Sequence, residues 1–474
     1  MIRTCIIILG LAFGSFVMPI ESVAEQPANI VLIISDDQGW TDFGFMGHPA
    51  IETPNLDSLA KQSVTFRRGY VPTALCRPSL TTLITGLYAH QSRIVGNDPA
   101  DTPENRQHAA KTGKDPRELL ISNIDRIPTL PRILAKQGYL SFQGGKWWEG
   151  SYQSAGFTHG MTRGYPEQGG RHGDDGLKIG RKGMQPVNDF LDTAIEAKKP
   201  FFLWYAPLLP HTPHNPPHRL LKKYKQAGHS DSLVSYFAMC EWFDETCGQL
   251  LDQLDQKGVA DNTLVAFVTD NGWIQKTDTP GFASRSKRSP YEGGTRTPIM
   301  FRWPNKLKPA DRQELCSSID IAPTILAAAG TEPPQQLPGL NLLPNLEQGT
   351  AIERDAIFGE SFAHDIADVK NPEASLLYRW VIREHYKLLL TYDGRHFKLK
   401  YPPKDDQPQL FDLNADPHEK VNLAAKHPQM VKELSDLINN WYPLAERRIG
   451  FQPRADKTSS GKSPSRKSPS RKSP

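Results

Sequence analysis

The sequence predicts an α/β fold in which helices sandwich a large, mostly parallel β-sheet, followed by a smaller C-terminal α+β subdomain that carries a short antiparallel sheet. Two observations support this prediction. Apolar runs rich in β-branched residues alternate along the chain with stretches of helical spacing, as in parallel sheets. Beyond residue 350 the pattern changes to shorter alternating stretches with turn residues, which favour antiparallel strands.

Three apolar runs are the predicted strands of the parallel sheet. Asn29–Ser35 and Leu264–Val268 are almost entirely apolar, as expected of strands that are buried on both faces. The stretch PFFLWYAPLLPHTPH predicts a third strand that ends near His211. Polar residues follow all three runs, and ligands of open α/β sheets bind beyond the carboxyl ends of such strands.

Helical spacing of apolar residues predicts helices between these strands, at Asn55–Ser63, Pro78–Leu87, Thr129–Gln137, Val187–Ala197 and Ser232–Gln256. Cys240 and Cys247 lie two turns apart on the last of these helices, about 10 Å by helical rise. That separation is too large for a disulfide, so we expect both thiols to pack as small apolar groups.

The two ends of the chain differ in composition from the rest. Arg3, an apolar stretch and the small residues up to Ala24 are typical of a secretory signal peptide, and no later stretch is apolar enough for an integral membrane span. We therefore expect an exported protein, periplasmic or extracellular. The predicted order is a signal peptide at 1–24, the main α/β domain at 25–350, the α+β subdomain at 351–455 and a disordered basic tail at 456–474.

The α+β subdomain is predicted from two stretches. Residues 378–401 alternate and contain turn residues, which predicts the antiparallel sheet, and residues 429–448 form an amphipathic helical pattern. From Lys457 to the end the chain holds six lysines and arginines and no acid, and without them the formal charge of +4 becomes −2. A near-neutral body argues against a nucleic-acid partner.

The ends of two predicted strands carry a candidate metal site. Asp36 and Asp37 follow the first strand, and Asp270 and Asn271 follow the last one. Clustered carboxylates repel one another unless a cation lies between them, and an all-oxygen set suits Ca²⁺ or Mg²⁺ rather than zinc. Each pair alone is equally typical of a tight turn, whereas their shared place at strand ends favours the metal site.

Cys76 and several cations are the other candidate site residues. Cys76 precedes Pro78 at a predicted helix N-terminus, where a thiol is polarised, although a buried structural thiol explains Cys76 alone equally well. Lys146, His211, His214 and Lys287 are scattered along the chain. If the fold brings them together, they form a pocket for a small anion.

Seven motifs resemble those of one family, the type I sulfatases of the alkaline phosphatase superfamily, and they span nearly the whole mature chain. They are SDDQGW, CRPSLTTLITGLY, GKWW, PHTPH, TDNG, KRSPYEGGTRTP and LFDLNADPHEKVNLA. The resemblance implies that one Ca²⁺ is bound by Asp36, Asp37, Asp270 and Asn271. It also implies that a maturation enzyme oxidises Cys76 to formylglycine, the nucleophile that attacks the sulfur of a sulfate ester.

The same resemblance implies roles for three cations. Lys146, His211 and Lys287 are expected to bind the sulfate and to assist the leaving oxygen. The substrate is expected to be a sulfated small molecule or glycan, and a sulfated carbohydrate fits an exported enzyme best. Loops such as 97–115 and 152–182 are expected to select it, and their folding does not follow from the sequence.

The chain departs from the family pattern at two positions. Leu80 stands where the family has an arginine, one helical turn after the cysteine, and Trp148 stands where it has a histidine. Candidate replacements are Arg77 or Arg93 for the arginine and His159 or His172 for the histidine. These departures keep two alternatives open: a phosphate-ester or phosphonate hydrolase of the same superfamily, and a non-catalytic relative that binds sulfated glycans.

Overall fold

A computed structural model describes residues 27–391 and 407–444 of the chain. The predicted signal peptide and basic tail lie outside these residues. The strands are β1 Asn29–Ser35, β2 Val64–Tyr70, β3 Asp98–Pro99, β4 Leu140–Gly145, β5 His159–Gly160, β6 Phe201–Ala206, β7 Thr263–Thr269, β8 Arg296–Arg302, β9 Ala310–Arg312, β10 Cys316–Ser317, β11 Ala356–Phe362, β12 Asp365–Ile366, β13 Leu376–Arg383, β14 Tyr386–Thr391 and β15 Gln409–Asp412.

The helices cover both faces of the main sheet. They are α1 Pro54–Lys61, α2 Cys76–Thr85, α3 Ala89–Ser92, α4 Pro103–Thr112, α5 Pro116–Ile121, α6 Leu130–Ala135, α7 Gln185–Glu196, α8 His218–Gln226, α9 Asp231–Gln256, α10 Glu292–Thr295, α11 Ile321–Ala328, α12 Leu343–Gln348 and α13 Pro428–Trp441. All predicted helices of the main domain are present, with ends that differ by up to two residues.

The main sheet confirms the predicted fold class. Its strands follow the order β10-β2-β8-β7-β1-β6-β4-β5, with β9 beside β2. All pairs are parallel except those of β8, which runs antiparallel to both β2 and β7. In the register of β1 and β7, Ser35 lies opposite Thr269, so the residues after both strands emerge side by side.

Burial of the central strands on both faces explains their apolar sequences. Ile30 and Leu32 of β1 belong to one large core, which also holds side chains of α2 and α11. Val31 and Ile33 point the other way into a second core with side chains of α7 and α9. The sandwich of helices around the sheet therefore follows from the uninterrupted apolar runs.

The predicted end of one strand and the predicted start of one helix are wrong, and prolines explain both differences. The third predicted strand ends at Ala206, well before His211, because Pro207 has no N–H for the ladder. Helix α2 begins at Cys76 rather than at Pro78. The first-turn N–H groups of a helix have no intrahelical partner, so a proline fits at the third helical position.

The second sheet is small and antiparallel, as predicted, with the order β11-β13-β14-β15. Helix α13 packs on it through Leu434 and Ile438. The helix ends at Trp441 and not at Arg448, because Pro443 follows and disfavours helical geometry at the residue before it. The predicted boundary at residue 350 falls between α12 and β11, and the division into domains stays a prediction.

Two further features bear on the predictions for the described part of the chain. Cys76, Cys240, Cys247 and Cys316 are all buried free thiols there, as expected for the two on α9. Among residues 27–391 and 407–444, none of the helices has the length and apolar character that a membrane crossing needs.

Candidate active site

Four neighbouring strands deliver most of the predicted site residues to one edge of the main sheet. In the order β7-β1-β6-β4, these strands are followed by Asp270, Asp36, the loop that carries His211, and Lys146. Because all four strands run parallel, their carboxyl ends meet at this edge. The order and direction of these four strands are therefore sufficient to bring the four polar segments together.

Cys76 and Lys287 reach the same edge from the other half of the sheet. Strand β2 leads into the segment before Cys76, while Lys287 precedes β8, whose reversed direction puts its start at this edge. The N–H of Gly272 donates to the carbonyl of Gly294 at 2.8 Å. A Cβ on Gly272 would lie 2.3 Å from the oxygen of Gly293, so glycine is required where these loops meet.

The predicted metal residues form one buried group. The N–H of Asp37 donates to Oδ1 of Asp270 at 3.0 Å, and Nδ2 of Asn271 donates to Oδ1 of Asp37 at 2.7 Å. Asp37 has a left-handed backbone with φ of 66°, which is uncommon for a residue with a side chain. All four residues, including Asp36, are buried.

Three predicted cations contact these carboxylates. Nζ of Lys146 donates to Oδ1 of Asp36 at 2.7 Å, and Nζ of Lys287 donates to Oδ2 of Asp37 at 2.6 Å. Nε2 of His211 lies 3.3 Å from the same Asp37 oxygen. His214 lies nearby, with its ring 5.5 Å from that of Tyr236, which donates to the carbonyl of Asp37.

Several oxygens of this group have no hydrogen-bond partner although they are buried: Oδ2 of Asp36, Oδ2 of Asp270 and Oδ1 of Asn271. Orphaned buried oxygens of this kind are expensive unless a ligand satisfies them. Three such oxygens on three of the four predicted ligands fit a hard divalent cation.

The thiol of Cys76 lies within this group. Its sulfur, a carboxylate oxygen of Asp36, one of Asp37 and a ring nitrogen of His211 all lie within 4.8 Å of one another. Sulfur and nitrogen ligands would suit a softer metal. The orphaned atoms are all oxygens, however, and His211 already contacts Asp37 and Lys287, so the donor set favours Ca²⁺ or Mg²⁺ over zinc.

The charges at this site shift the pKa values of its members in opposite directions. Burial raises the pKa of Asp37, but Lys287, His211 and Lys146 outweigh it and hold the pKa below its usual value. Burial and the neighbouring Asp36 charge raise the pKa of Asp270 well above normal. A metal cation at the orphaned oxygens would relieve the repulsion between Asp36 and Asp270.

Cys76 is the first residue of α2, and Leu80 lies one turn further on. Every residue of α2 is buried. Leu80 is 3% exposed and packs in the large core beside α11. The apolar side chain at position 80 is therefore a core residue, and the arginine of the family pattern has no counterpart on this helix face.

Neither predicted replacement for that arginine is free at the site. Arg77 is fully buried and forms a bidentate pair with Glu149, at 2.7 and 2.6 Å, while its Nη1 donates to the carbonyl of Asn97. Arg93 is exposed and donates to the carbonyl of Lys370. Both guanidinium groups are bound to acceptors elsewhere.

Of the two predicted replacements for the histidine, only His172 lies near the site. His159 is on the edge strand β5, beside Thr158 and Phe190. The ring of His172 lies 5.2 Å from that of Trp148, and its buried Nδ1 has no partner. Burial, followed by Lys146, Arg171 and His211, lowers the pKa of His172 to about 4.

Sequence reasoning missed two features at the rim of this site. Arg288 follows Lys287, and its buried Nε has no hydrogen-bond partner. Asp98, His364 and Asp365 come together where the short strands β3 and β12 pair. The pairing of β3 with β12 joins segments far apart in sequence, and no sequence motif predicts it. Arg288, in contrast, lies inside the motif KRSPYEGGTRTP, which could have identified it.

The fold and the polar edge of its sheet define a hydrolase-like α/β architecture. Residues 28–331 match the family described as Sulfatase, and residues 282–442 match the family described as N-sulphoglucosamine sulphohydrolase, C-terminal. The first match covers more than half of the chain. The chain therefore belongs to the sulfatase family of the alkaline phosphatase superfamily, and it is a sulfuric ester hydrolase.

Individual relatives agree with this assignment. The chain is 30% identical to human N-acetylgalactosamine-6-sulfatase, with 90% of this chain and 92% of the relative covered. It is 27% identical to human arylsulfatase A, with 87% of each covered. A structure solved in complex with its substrate D-glucosamine-2-N,6-O-disulfate superposes with a TM-score of 0.65 at 20% identity, over 88% of this chain and 97% of that one, which supports the fold.

Proposed function

We propose that the protein is an exported, calcium-dependent sulfatase that hydrolyses sulfate esters of a sulfated carbohydrate through a formylglycine derived from Cys76. The observation that supports this most strongly is the set of orphaned buried oxygens on Asp36, Asp270 and Asn271, together with a Cys76 sulfur that lies within 4.8 Å of a carboxylate oxygen of Asp36. A structural thiol needs no such neighbours.

The metal residues are Asp36, Asp37, Asp270 and Asn271. The orphaned oxygens of Asp36, Asp270 and Asn271 supply three of the ligands, and Lys146 and Lys287 balance carboxylate oxygens of Asp36 and Asp37. Bound calcium supplies a fixed divalent charge that counters the negative charge of a sulfate ester. Three carboxylates against two lysines leave one negative charge, so a divalent cation makes the site positive overall.

Position 76 supplies the nucleophile. A formylglycine there, made by a maturation enzyme, would supply a hydrated aldehyde oxygen as the nucleophile towards the sulfate ester. The first-turn N–H groups of α2 and the neighbouring lysines favour negative charge at this position. Leu75 and the buried residues of α2 keep bulk water away from it.

The remaining polar residues bind the sulfate and assist the leaving oxygen. Lys146 and Lys287 hold their ammonium groups against Asp36 and Asp37, so little reorganisation is needed when the substrate arrives. His211 is positioned by Asp37 to exchange a proton with the leaving oxygen. His172, with its free Nδ1 beside Trp148, is the proposed replacement for the histidine of the family pattern.

A carbohydrate substrate is proposed by analogy with named relatives. Human N-acetylgalactosamine-6-sulfatase and a structural relative bound to a disulfated glucosamine both act on sulfated sugars by name. The predicted signal peptide is compatible with such a substrate outside the cytoplasm. The loops 97–115 and 152–182, which Asp98 and Arg171 join by an ion pair, are proposed to select the sugar.

The proposal is tested by sulfate release from a panel of 6-O-sulfated and N-sulfated aminosugars and an aryl sulfate. The expected result is turnover that chelator abolishes, calcium restores and Cys76→Ala removes. Matched aryl phosphate and phosphonate esters test the hydrolase alternative. Binding of sulfated glycans without any turnover, or turnover of the phosphorus esters alone, would contradict the proposal.

A further inference from the structure

Arg288 is a half-buried cation that lies next to the segment leading into Cys76 and has no role in the resemblance to the family. Its N–H donates to the carbonyl of Ala74 at 2.8 Å, which fixes the residue against the segment that leads into Cys76. Its backbone is left-handed, with φ of 69°. A left-handed conformation costs a residue with a side chain about 1 kcal/mol or more and persists only where the surroundings enforce it.

Nε of Arg288 lacks the acceptor that Nε of Arg77 has in Glu149. This nitrogen of Arg288 is buried without a hydrogen-bond partner, and the guanidinium carbon lies 6.0 Å from the ring centre of Phe282. Arg77, in contrast, donates from Nε and both terminal nitrogens to Glu149 and Asn97. A buried guanidinium nitrogen without an acceptor indicates a site for an anionic ligand.

The charges around Arg288 indicate which part of the site its guanidinium interacts with. Burial lowers the pKa of Arg288, and among the charges that oppose this effect Cys76 comes first, ahead of Asp365 and Asp37. This order agrees with the backbone contact of Arg288 with Ala74, two residues before Cys76. Position 80, which carries the arginine in the family pattern, contributes only an apolar core side chain here.

We infer that Arg288 is the arginine of this active site and that it binds the sulfate group of the substrate next to position 76. It reaches that group from the loop between Lys287 and α10 instead of from α2. This inference rests on the proposed sulfatase function. Because an arginine donates two parallel hydrogen bonds to an oxyanion, it holds the sulfate in one orientation for attack.

The test compares Arg288→Ala and Arg288→Lys with Arg285→Ala. Arg285 is a matched control because it lies in the same loop, also has a positive φ, and donates to the carbonyl of Glu419. Arg288→Ala is expected to lower kcat/KM about 10²- to 10³-fold on an aryl sulfate and on a sulfated aminosugar alike. Arg288→Lys should recover part of this loss, and Arg285→Ala should retain activity.

A binding measurement separates this inference from the proposed function. Isothermal titration of inorganic sulfate into the calcium-loaded Cys76→Ser protein needs no turnover, and adding Arg288→Ala should weaken binding about 10-fold. Unchanged sulfate binding and unchanged aryl sulfate turnover in Arg288→Ala would overturn the inference while leaving the sulfatase intact. A loss confined to the sugar substrate would also overturn it, because Arg288 would then contact the sugar. A wild type without sulfatase activity contradicts the proposed function instead.

Discussion

Two buried clusters of acids and cations lie on either side of the loop from Lys287 to Glu292, and they are built differently. The open cluster consists of Asp36, Asp37, Asp270, Asn271, Lys146, Lys287 and His211. The closed cluster consists of Tyr70, Glu292, Arg296, Lys387 and Glu419, and it links the main sheet to the small sheet.

In the closed cluster every carboxylate oxygen has a cation or donor within 3.1 Å, although the contact of Lys387 with Oε1 of Glu419 is an ion pair without hydrogen-bond geometry. Nζ of Lys387 lies 3.1 Å from Oε1 of Glu292 and 3.1 Å from Oε1 of Glu419. The hydroxyl of Tyr70 donates to Oε2 of Glu292, and the N–H of Glu292 donates to Oε2 of Glu419. Arg296 adds a second cation at 3.7 Å from Glu292.

The open cluster leaves three buried oxygens without donors, although it has as many cations nearby. Burial of charge is tolerated in the closed cluster because its members satisfy one another. The protein's own groups do not satisfy all the buried oxygens of the open cluster. This property is expected of a site that holds a metal and an anionic substrate. Burial and charge alone therefore do not distinguish the two clusters, whereas the number of unsatisfied buried oxygens does: three in the open cluster against one, Oε1 of Glu419, in the closed one.

The largest expected effect is on the open cluster. Asp270→Asn keeps the oxygen that accepts the Asp37 N–H but removes one negative charge. We expect sulfatase activity to fall about 10³-fold or more, since a metal ligand is lost. The unfolding free energy measured in chelator should not decrease, because burial and the Asp36 charge already disfavour a negative charge on Asp270.

The matched control for that substitution is Asp320→Asn, at a buried aspartate that Arg354 holds at 2.7 and 2.6 Å. We expect this variant to lose stability with or without calcium. If Asp270→Asn instead lowered the chelator-treated stability as much as Asp320→Asn does, the distinction between the two clusters would be wrong.

A substitution in the closed cluster is expected to lower the free energy of unfolding rather than the activity. Lys387→Met leaves Glu292 and Glu419 facing each other without the shared cation. Breaking a buried pair in this way costs about 3–5 kcal/mol of unfolding free energy. Urea unfolding measures the loss, and kcat per folded molecule should stay within about twofold of wild type, since a role confined to structure does not alter chemistry. Lys432→Met, at an exposed pair with Asp436, is the control and should change stability by less than about 0.5 kcal/mol.

A smaller effect is expected at His172. Because its pKa is lowered to about 4, this imidazole is neutral above pH 5 and acts as a hydrogen-bonding group rather than a cation. His172→Ala should lower kcat about 10²-fold. His172→Gln, which keeps a neutral polar group, should recover part of it, and His159→Ala should match wild type. Equal losses in the two histidine positions would exclude His172 from the site.

The smallest effect is a pH dependence of stability. Burial raises the pKa of Glu419 from 4.5 to about 7, with Lys387 opposing and Glu292 adding to the shift. The folded state therefore holds a proton that the unfolded chain has released, and this contribution to stability is lost as pH rises from 4.5 to about 7.

Denaturant unfolding at constant calcium between pH 5 and pH 8 tests this dependence. Wild type should lose on the order of 2 kcal/mol relative to Glu419→Gln over that range. Parallel curves for the two proteins would show that Glu419 does not titrate there.

The sequence predicts the open cluster well because it depends on strand order. Once Asp36 and Asp270 follow neighbouring parallel strands, their proximity is fixed by the register of β1 and β7. Strand order does not predict the geometry of the loops. The choice of His172 over His159 depends on the folding of residues 152–182. The loop that carries Arg288 contacts the segment before Cys76 because β8 runs against its neighbours and starts at this edge of the sheet.

Helix and strand ends were predictable only where chemistry enforces them. Gly86, with φ of 70°, ends α2 two residues before the predicted end at Leu87. Arg77 was a plausible active-site arginine by sequence distance from Cys76. Its partner Glu149 lies in a separate loop, and only the folded chain brings the two together.

The central claim is that Cys76 becomes the nucleophile within the open cluster although position 80 is leucine. Mass spectrometry of the peptide that contains Cys76, from natively exported and active protein, tests it most directly. The account predicts an aldehyde in place of the thiol, in a fraction that rises with specific activity. An intact thiol in all of the protein, together with undiminished sulfate release, would contradict it.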